Sequence, residues 1–204
     1  MVFIEIVMNV SFKAKIPVSE CQVYDRKNKK FVPATLYEYD CKNFSDIQRF
    51  RNNYHKWTYM DSFISNMRIK FMYFCYDKGQ TNKAPEADRF YSLELPDNHL
   101  VGFCETVDDK KSTNIYYLET DRERRYKYAG QSILASLSKQ MLNSSLNPEM
   151  TINCPARSAR NFYIDKCGFD IKGEKALYLD KKGLSDFVKT FEERTHKPIV
   201  NLCG

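Results

Sequence analysis

The stretch ERRYKYAGQSILASLSKQML, from Glu123 to Leu142, begins as a basic, aromatic loop and runs into an amphipathic helix with no proline between. A helix start exposes about four backbone N–H groups that lack partners, together with the positive end of the helix dipole. Anionic groups, phosphates above all, sit well there when no side chain blocks the approach. Gly130 permits that approach and Ala129 nearly does, while Arg122, Arg124, Arg125 and Lys127 add positive charge around the same point. A strand, a basic loop, a small pair and a helix together make a cradle for a diphosphate. A solvated basic loop before an ordinary core helix is the plainer alternative. The stretch is neither a P-loop nor a dinucleotide-binding turn, because GxxxxGK[ST] and GxGxxG are both missing.

The cradle needs elements to hold it. Residues 21–40 read as two β-rich runs joined by the polar turn Asp25–Lys30, whose Arg26, Lys27, Lys29 and Lys30 fit a solvated turn. Phe44, Ile47 and Phe50, then Met60, Phe63 and Met67, recur at helical spacing within 43–71, and 76–88 is a loop by composition. Strand-like runs follow at 89–96, 99–107 and 112–120, the first two joined through Asp97-Asn98. The helix over 128–143 carries Ile133, Leu134, Leu137, Met141 and Leu142 on one face. After it come a short strand (149–154), a helix (158–169) closed by Gly168, a hairpin (170–179) around Gly173 and a terminal amphipathic helix (184–196). The order from residue 89 is β-β-β-α-β-α-β-β, which predicts an α/β (α+β) domain with a mixed, mostly antiparallel sheet flanked by helices. Residues 1–30 are read as an N-terminal hairpin extension, 31–180 as the main domain, and 181–204 as a C-terminal helix and tail.

Composition limits the function classes. A formal net charge of +6 over 204 residues suits an anionic ligand but falls short of a dedicated nucleic-acid binder. The seven cysteines are odd in number and show no CxxC spacing, and the three histidines are far apart. No disulfide framework or metal site is expected, and reduced, buried thiols fit a cytoplasmic protein. The apolar start is short and interrupted by Glu5, so neither a signal peptide nor a membrane span is expected.

YLETDRERRYKYAGQSIL resembles the signature of the GCN5-related N-acetyltransferases (GNATs), usually written R/Q-x-x-G-x-G/A, with Arg125-Tyr126-Lys127-Tyr128-Ala129-Gly130 in register. SARNFYIDKCGF resembles that family's next motif, a helix with a tyrosine shortly before Gly-Phe. The resemblance spans about residues 31–180 and implies an acyl-CoA N-acyltransferase-like fold. It implies acetyl-CoA as donor, CoA as product, and an amine acceptor on a small molecule, peptide or protein. Backbone N–H groups from Tyr126 to Gln131 would hold the diphosphate, and the backbone of Leu118, Glu119 and Thr120 would pair with the pantetheine arm. Asn161 is a further candidate for cofactor contact, and Tyr163 is the candidate proton donor to the departing thiolate.

Three positions depart from the family pattern. Tyr128 stands where the first glycine is usual, and a Cβ favours negative φ there. Tyr163 lies one residue further from Phe169 than is usual, so that either the helix end carries an extra residue or Ile164 takes the tyrosine position. Asn114 falls where histone-type members carry a glutamate, which leaves Glu119 and Glu105 as candidates for the base. Cys154 and Cys167 read as buried structural thiols. Glu38, Asp40, Asp61, Glu86 and Asp88 are acids that would attract a cationic amine. A catalytically weak acyl-CoA-binding or interaction module on the same fold, and a basic module binding RNA or protein through RERRYKY, are the alternatives. The chain is expected to be a monomer or homodimer.

Overall fold

The turn after Tyr24 is built around one carboxylate. Asp25 accepts the N–H groups of Lys27 (2.9 Å) and Asn28 (3.3 Å) and the side-chain amide of Asn28 (2.8 Å). These bonds reverse the chain, with Lys29 at φ 50, and join β1 (Lys15–Asp25) to β2 (Lys30–Tyr39). In the computed structural model, the residues described are 15–39, 47, 64–68, 88–108, 112–121, 123, 125–145, 148–153, 155–173 and 175–202. The helices expected over 43–71 and the loop expected over 76–88 lie largely outside them. Within that range residues 64–68 are helical.

The antiparallel meander continues through β3 (Asp88–Glu94), β4 (Leu100–Asp108) and β5 (Ser112–Thr120), each pairing with the next. The Asp97-Asn98 turn expected between β3 and β4 is present, with Asn98 at φ 62. β4 is buried from Leu100 to Thr106 because both faces of the sheet are covered. Val101 and Cys104 belong to the larger core under the helices described next, while Leu100 and Phe103 join Tyr39, Ile47, Ile64, Met67 and Phe90 on the opposite face.

Two residues after Arg125, β6 (Tyr126–Lys127), pair with the end of β1, and α1 (Ala129–Ser144) follows at once. α1 is buried all round from Ala129 to Ser138, not on one face only, because alanines and serines between its leucines let the sheet and a second helix both approach. It lies so close to β4 that a Cβ on Gly102 would come within 2.9 Å of the Ile133 Cδ1 atom. β7 (Glu149–Asn153) then runs parallel to β5. α2 (Arg157–Asn161) continues into a π-helical turn, Phe162–Lys166, followed by β8 (Asp170–Lys172) and β9 (Ala176–Leu179).

α3 (Lys181–Thr195) starts three residues earlier than expected because the Asp180 carboxylate caps it through the Gly183 N–H (2.8 Å). It buries Leu184, Phe187, Val188 and Phe191. Lys139 on α1 holds it in place by bonding both Glu192 (2.6 Å) and the Ile199 carbonyl (2.7 Å). β10 (Val200–Asn201) returns to β1. The sheet order is β10-β1-β2-β3-β4-β5-β7-β9-β8, mixed and mostly antiparallel, with helices on its faces. Among the described residues, no helix is long and apolar enough to cross a membrane.

Arg125 reaches across the turn to Asp25 at 2.9 Å, and with the two N–H groups it holds that carboxyl well below the usual carboxylate range. A depressed carboxylate pKa contributes stability above the unfolded value of about 3.9, and the contribution disappears as pH falls through the folded value. Asp25→Asn is therefore expected to lower the melting temperature at pH 7, and its difference from wild type should vanish in strong acid. Thermal melts across pH check this. Burial raises the Cys21 and Cys167 thiols to about 12 and raises Cys104 as well. All three should resist alkylation at pH 8 in the native chain and react once it is unfolded, as mass spectrometry would show.

Candidate functional site

β5 and β7 pair only where they begin, Ser112–Asn114 against Glu149–Thr151. Asn114 marks the fork, its side-chain oxygen accepting the Thr151 hydroxyl at 3.2 Å. Beyond it, the edge of β5 from Ile115 to Thr120 that faces away from β4 has no strand partner among the described residues. The Asp121 N–H donates to the Val101 carbonyl (3.1 Å). Antiparallel alternation then directs the backbone groups of Glu119 to Phe103 on β4 and those of Leu118 and Thr120 into the open wedge.

The wedge runs into the start of α1. The first intrahelical bond is from the Ser132 N–H to the Tyr128 carbonyl (2.8 Å), and no side chain caps the helix. The N–H groups of Tyr128, Ala129, Gly130 and Gln131 therefore have no intrahelical acceptor. Arg26 donates its N–H to the Arg125 carbonyl (3.0 Å), so the ladder commits the Lys127 N–H to Tyr24 on β1 and turns that of Tyr126 away from it. Wedge and helix start form one cleft of about 560 Å³. Leu118, Thr120, Tyr126, Lys127, Tyr128, Ala129, Gly130, Gln131 and Tyr163 all line it. A Cβ on Gly130 would point at the cleft wall, 3.3 Å from the Phe162 ring and 3.5 Å from Thr120.

Tyr128 takes the conformation that glycine would. Its φ of 73 and ψ of 1 are left-handed, contrary to the negative φ that its Cβ favours. Side-chain packing holds it there: the ring stacks on Phe31 (6.1 Å, 11°), with the Lys127 ammonium 4.7 Å and the Arg194 guanidinium 5.8 Å from its centre. Tyr163 is 93% buried, edge-on to Phe162 and Phe169. The extra residue before Phe169 is absorbed by the π-helical turn, so Tyr163 keeps its inward direction and Ile164 does not replace it. Gln131 ties this turn to α1 by donating to the Lys166 carbonyl (2.9 Å). Burial raises the Tyr163 hydroxyl well above its ordinary range, with Cys104 and Cys167 adding to the effect.

Three expected site residues are not brought to the cleft. Arg125 is spent on Asp25, about 100 residues earlier, and anchors β6 instead. Asn161 is exposed on α2. Glu119 lies directly opposite Phe103 and shares its face, the one away from α1. Glu105 is on that same face, buried, and accepts from the Asn66 amide at both carboxylate oxygens (3.0 Å each). Arg122 and Arg124 lie outside the described residues, as do Cys154, Asp40, Asp61 and Glu86. In place of Arg125, the cleft receives cations from other elements. Arg26 comes from the β1–β2 turn, Lys166 from the π-helical turn and Arg194 from the last turn of α3. The basic turn gave a weak signal for Arg26, and α3 gave none for Arg194.

No family model matches the sequence, and no curated protein matches it. Solved structures do match. An uncharacterized protein of Bacillus halodurans aligns with 88% of this chain and 100% of its own, at a TM-score of 0.52 and 9% identity. A GNAT family acetyltransferase of Staphylococcus aureus aligns with 72% of this chain and 99% of its own (TM-score 0.48, 14% identity). The ribosomal-protein-S18-alanine N-acetyltransferase of Escherichia coli aligns with 72% of this chain and 92% of its own (TM-score 0.45, 13% identity). The meander, the forked parallel pair and the helix between its strands decide the architecture. The fold, a mixed and mostly antiparallel sheet flanked by helices, is similar to that of the Bacillus halodurans protein. At these identities the likeness concerns the fold alone. Within this fold the fork lies between β5 and β7, and the basic loop leads into α1.

Replacing Tyr128 separates backbone strain from ring packing. Tyr128→Gly and Tyr128→Ala both lose the ring, but only alanine retains a Cβ at positive φ. The glycine variant should be more stable than the alanine variant by about 1 kcal/mol, measured by urea unfolding.

Proposed function

We propose that this chain is an acetyl-CoA-dependent N-acetyltransferase acting on an amine. The observation that carries the reading is the continuity of the wedge beside β5, the uncapped start of α1 and buried Tyr163 within one cleft. Acetyl-CoA would supply the acetyl group as a thioester, a C–N bond forming as the C–S bond breaks. The N–H groups of Tyr128 to Gln131 fit its diphosphate, and the outward backbone groups of Leu118 and Thr120 fit the amides of its pantetheine arm. Its raised pKa keeps the Tyr163 hydroxyl protonated across the physiological range, so that it would donate a hydrogen bond to the leaving thiolate rather than give up its proton outright. The acceptor amine would approach from the other face of the sheet. There Glu119 and Glu105 are the candidates to receive its proton, directly or through water.

A second reading, a CoA-binding module with little turnover, is favoured by one observation. The residue at the usual glutamate position, Asn114, cannot take a proton and is bonded to Thr151.

Calorimetric titration with acetyl-CoA and with CoA tests the binding. Micromolar affinity is expected for wild type and a loss of at least about 100-fold for Gly130→Glu, whose carboxylate would enter the cleft beside Phe162. No binding at millimolar ligand would sink the reading. Tyr163→Phe should keep the affinity but lower CoA release with an accepted amine by about 10²-fold or more. Binding without turnover of any amine, peptide or aminoglycoside would favour the second reading.

A further inference from the structure

Two adjacent tyrosines of β5 stand on the same face of the sheet. In a regular strand successive side chains point to opposite faces. Between Ile115, which pairs with Thr106, and Tyr117, which pairs with Glu105, β5 carries one extra residue, Tyr116. This bulge lets the Tyr116 and Tyr117 rings meet edge to face, their centroids 4.8 Å apart at 88°. Tyr117 shares the face of its cross-strand partner Glu105, the one away from α1, so both rings lie there. A perpendicular pair covers at most one ring face by its own contact, and Tyr116 is 57% exposed. The other described phenylalanines and tyrosines are all buried or half-buried. The Glu105 carboxylate, 2% exposed, accepts from the Asn66 amide at both oxygens, which favours its ionised form. Ring faces beside a buried anion attract a cation, and their apolar bodies suit an aliphatic stem.

We propose that Tyr116 and Tyr117 seat the acceptor and that the acceptor is an aliphatic ammonium, carried by a free alkylamine or by a lysyl side chain. The inference rests on the acetyltransferase reading above. A donor with its diphosphate at the start of α1 and its arm along Thr120 and Leu118 would point its thioester end toward Tyr116 and the fork at Asn114. Tyr116 buries little of its ring, so it adds little to the core, and its place is that of a specificity-determining residue.

The test is a titration of the full chain, with and without CoA, followed through the ring signals of carbon-13-labelled tyrosine, that of Tyr116 being assigned with Tyr116→Phe. The probes are butylammonium, its neutral counterpart butanol, and Nα-acetyl-lysine amide. Both ammonium probes are expected to shift the Tyr116 and Tyr117 signals, and butylammonium to bind at least about fivefold more tightly than butanol. Tyr116→Leu should weaken the ammonium probes by about three- to fivefold, with an unchanged melting curve and unchanged CoA affinity, while Tyr116→Phe, which keeps a ring face, should retain them. Tighter binding of butylammonium than of the lysine amide would support the seat and assign a free amine, and the reverse would support it and assign a lysyl side chain. Equal binding of butylammonium and butanol, shifts confined to other tyrosines, or an unchanged affinity in Tyr116→Leu would overturn the seat and leave CoA binding standing. Failure of CoA to bind wild type would overturn the acetyltransferase reading and the acceptor assignment with it, even where butylammonium still shifts the rings.

Discussion

The parting of two parallel strands after three paired positions is the constraint on which the rest depends. A strand edge buried without partners is costly, because each unpaired N–H or carbonyl loses its bond to water. β5 instead leaves a half-exposed edge without a strand partner from Ile115 to Thr120 among the described residues, while its other side pairs with β4 through one bulge. The opening persists because its margins are fixed elsewhere. Asn114 and Thr151 close its root, α1 is held against β4 over Gly102, and the π-helical turn is tied to α1 through Gln131. Among the described residues the sheet runs unbroken from β10 to β8 apart from this opening.

The two faces of the sheet are chemically different. On the α1 face the walls are cationic and the backbone donors unpaired, while on the other face Glu105 and Glu119 stand in the rows of Phe90 and Phe103. Alternation along β5 produces this division without any special residue. Leu118 and Thr120 set their side chains on one face and Glu119 on the other.

Much of this was legible from residue types. Turn residues marked the ends of β1, β2, β3 and β4, and β5 occupies the expected 112–120, because period-two patterning and Asp, Asn and Lys turns are local signals. The excess residue before Phe169 also signalled a local departure, which the π-helical turn accounts for. β6 and β10 were not legible, since two residues carry no periodicity. The fate of Arg125 was hidden as well, because its partner Asp25 is remote in sequence and a free arginine and a paired one look alike there. Tyr128 ran against its own propensity. Phe31 and two cations hold its ring, and tertiary packing of that kind leaves no trace in the motif itself.

The return of β10 to β1 has a kinetic consequence. Ser19 pairs with Asn201 across about 180 residues, and β1 also receives β6. On a growing polypeptide the meander and α1 can assemble from neighbouring segments, but this margin of the sheet can close only after α3 has been made and docked. Loop closure over such a distance is slow relative to hairpin formation. Both Arg26 and Arg194 lie on elements joined at that margin, so the cationic wall of the cleft is completed last. The larger core, which takes Leu184, Phe187 and Phe191 from α3, is completed at the same late step, so a newly synthesised chain would gain its full core and its cationic cleft wall together.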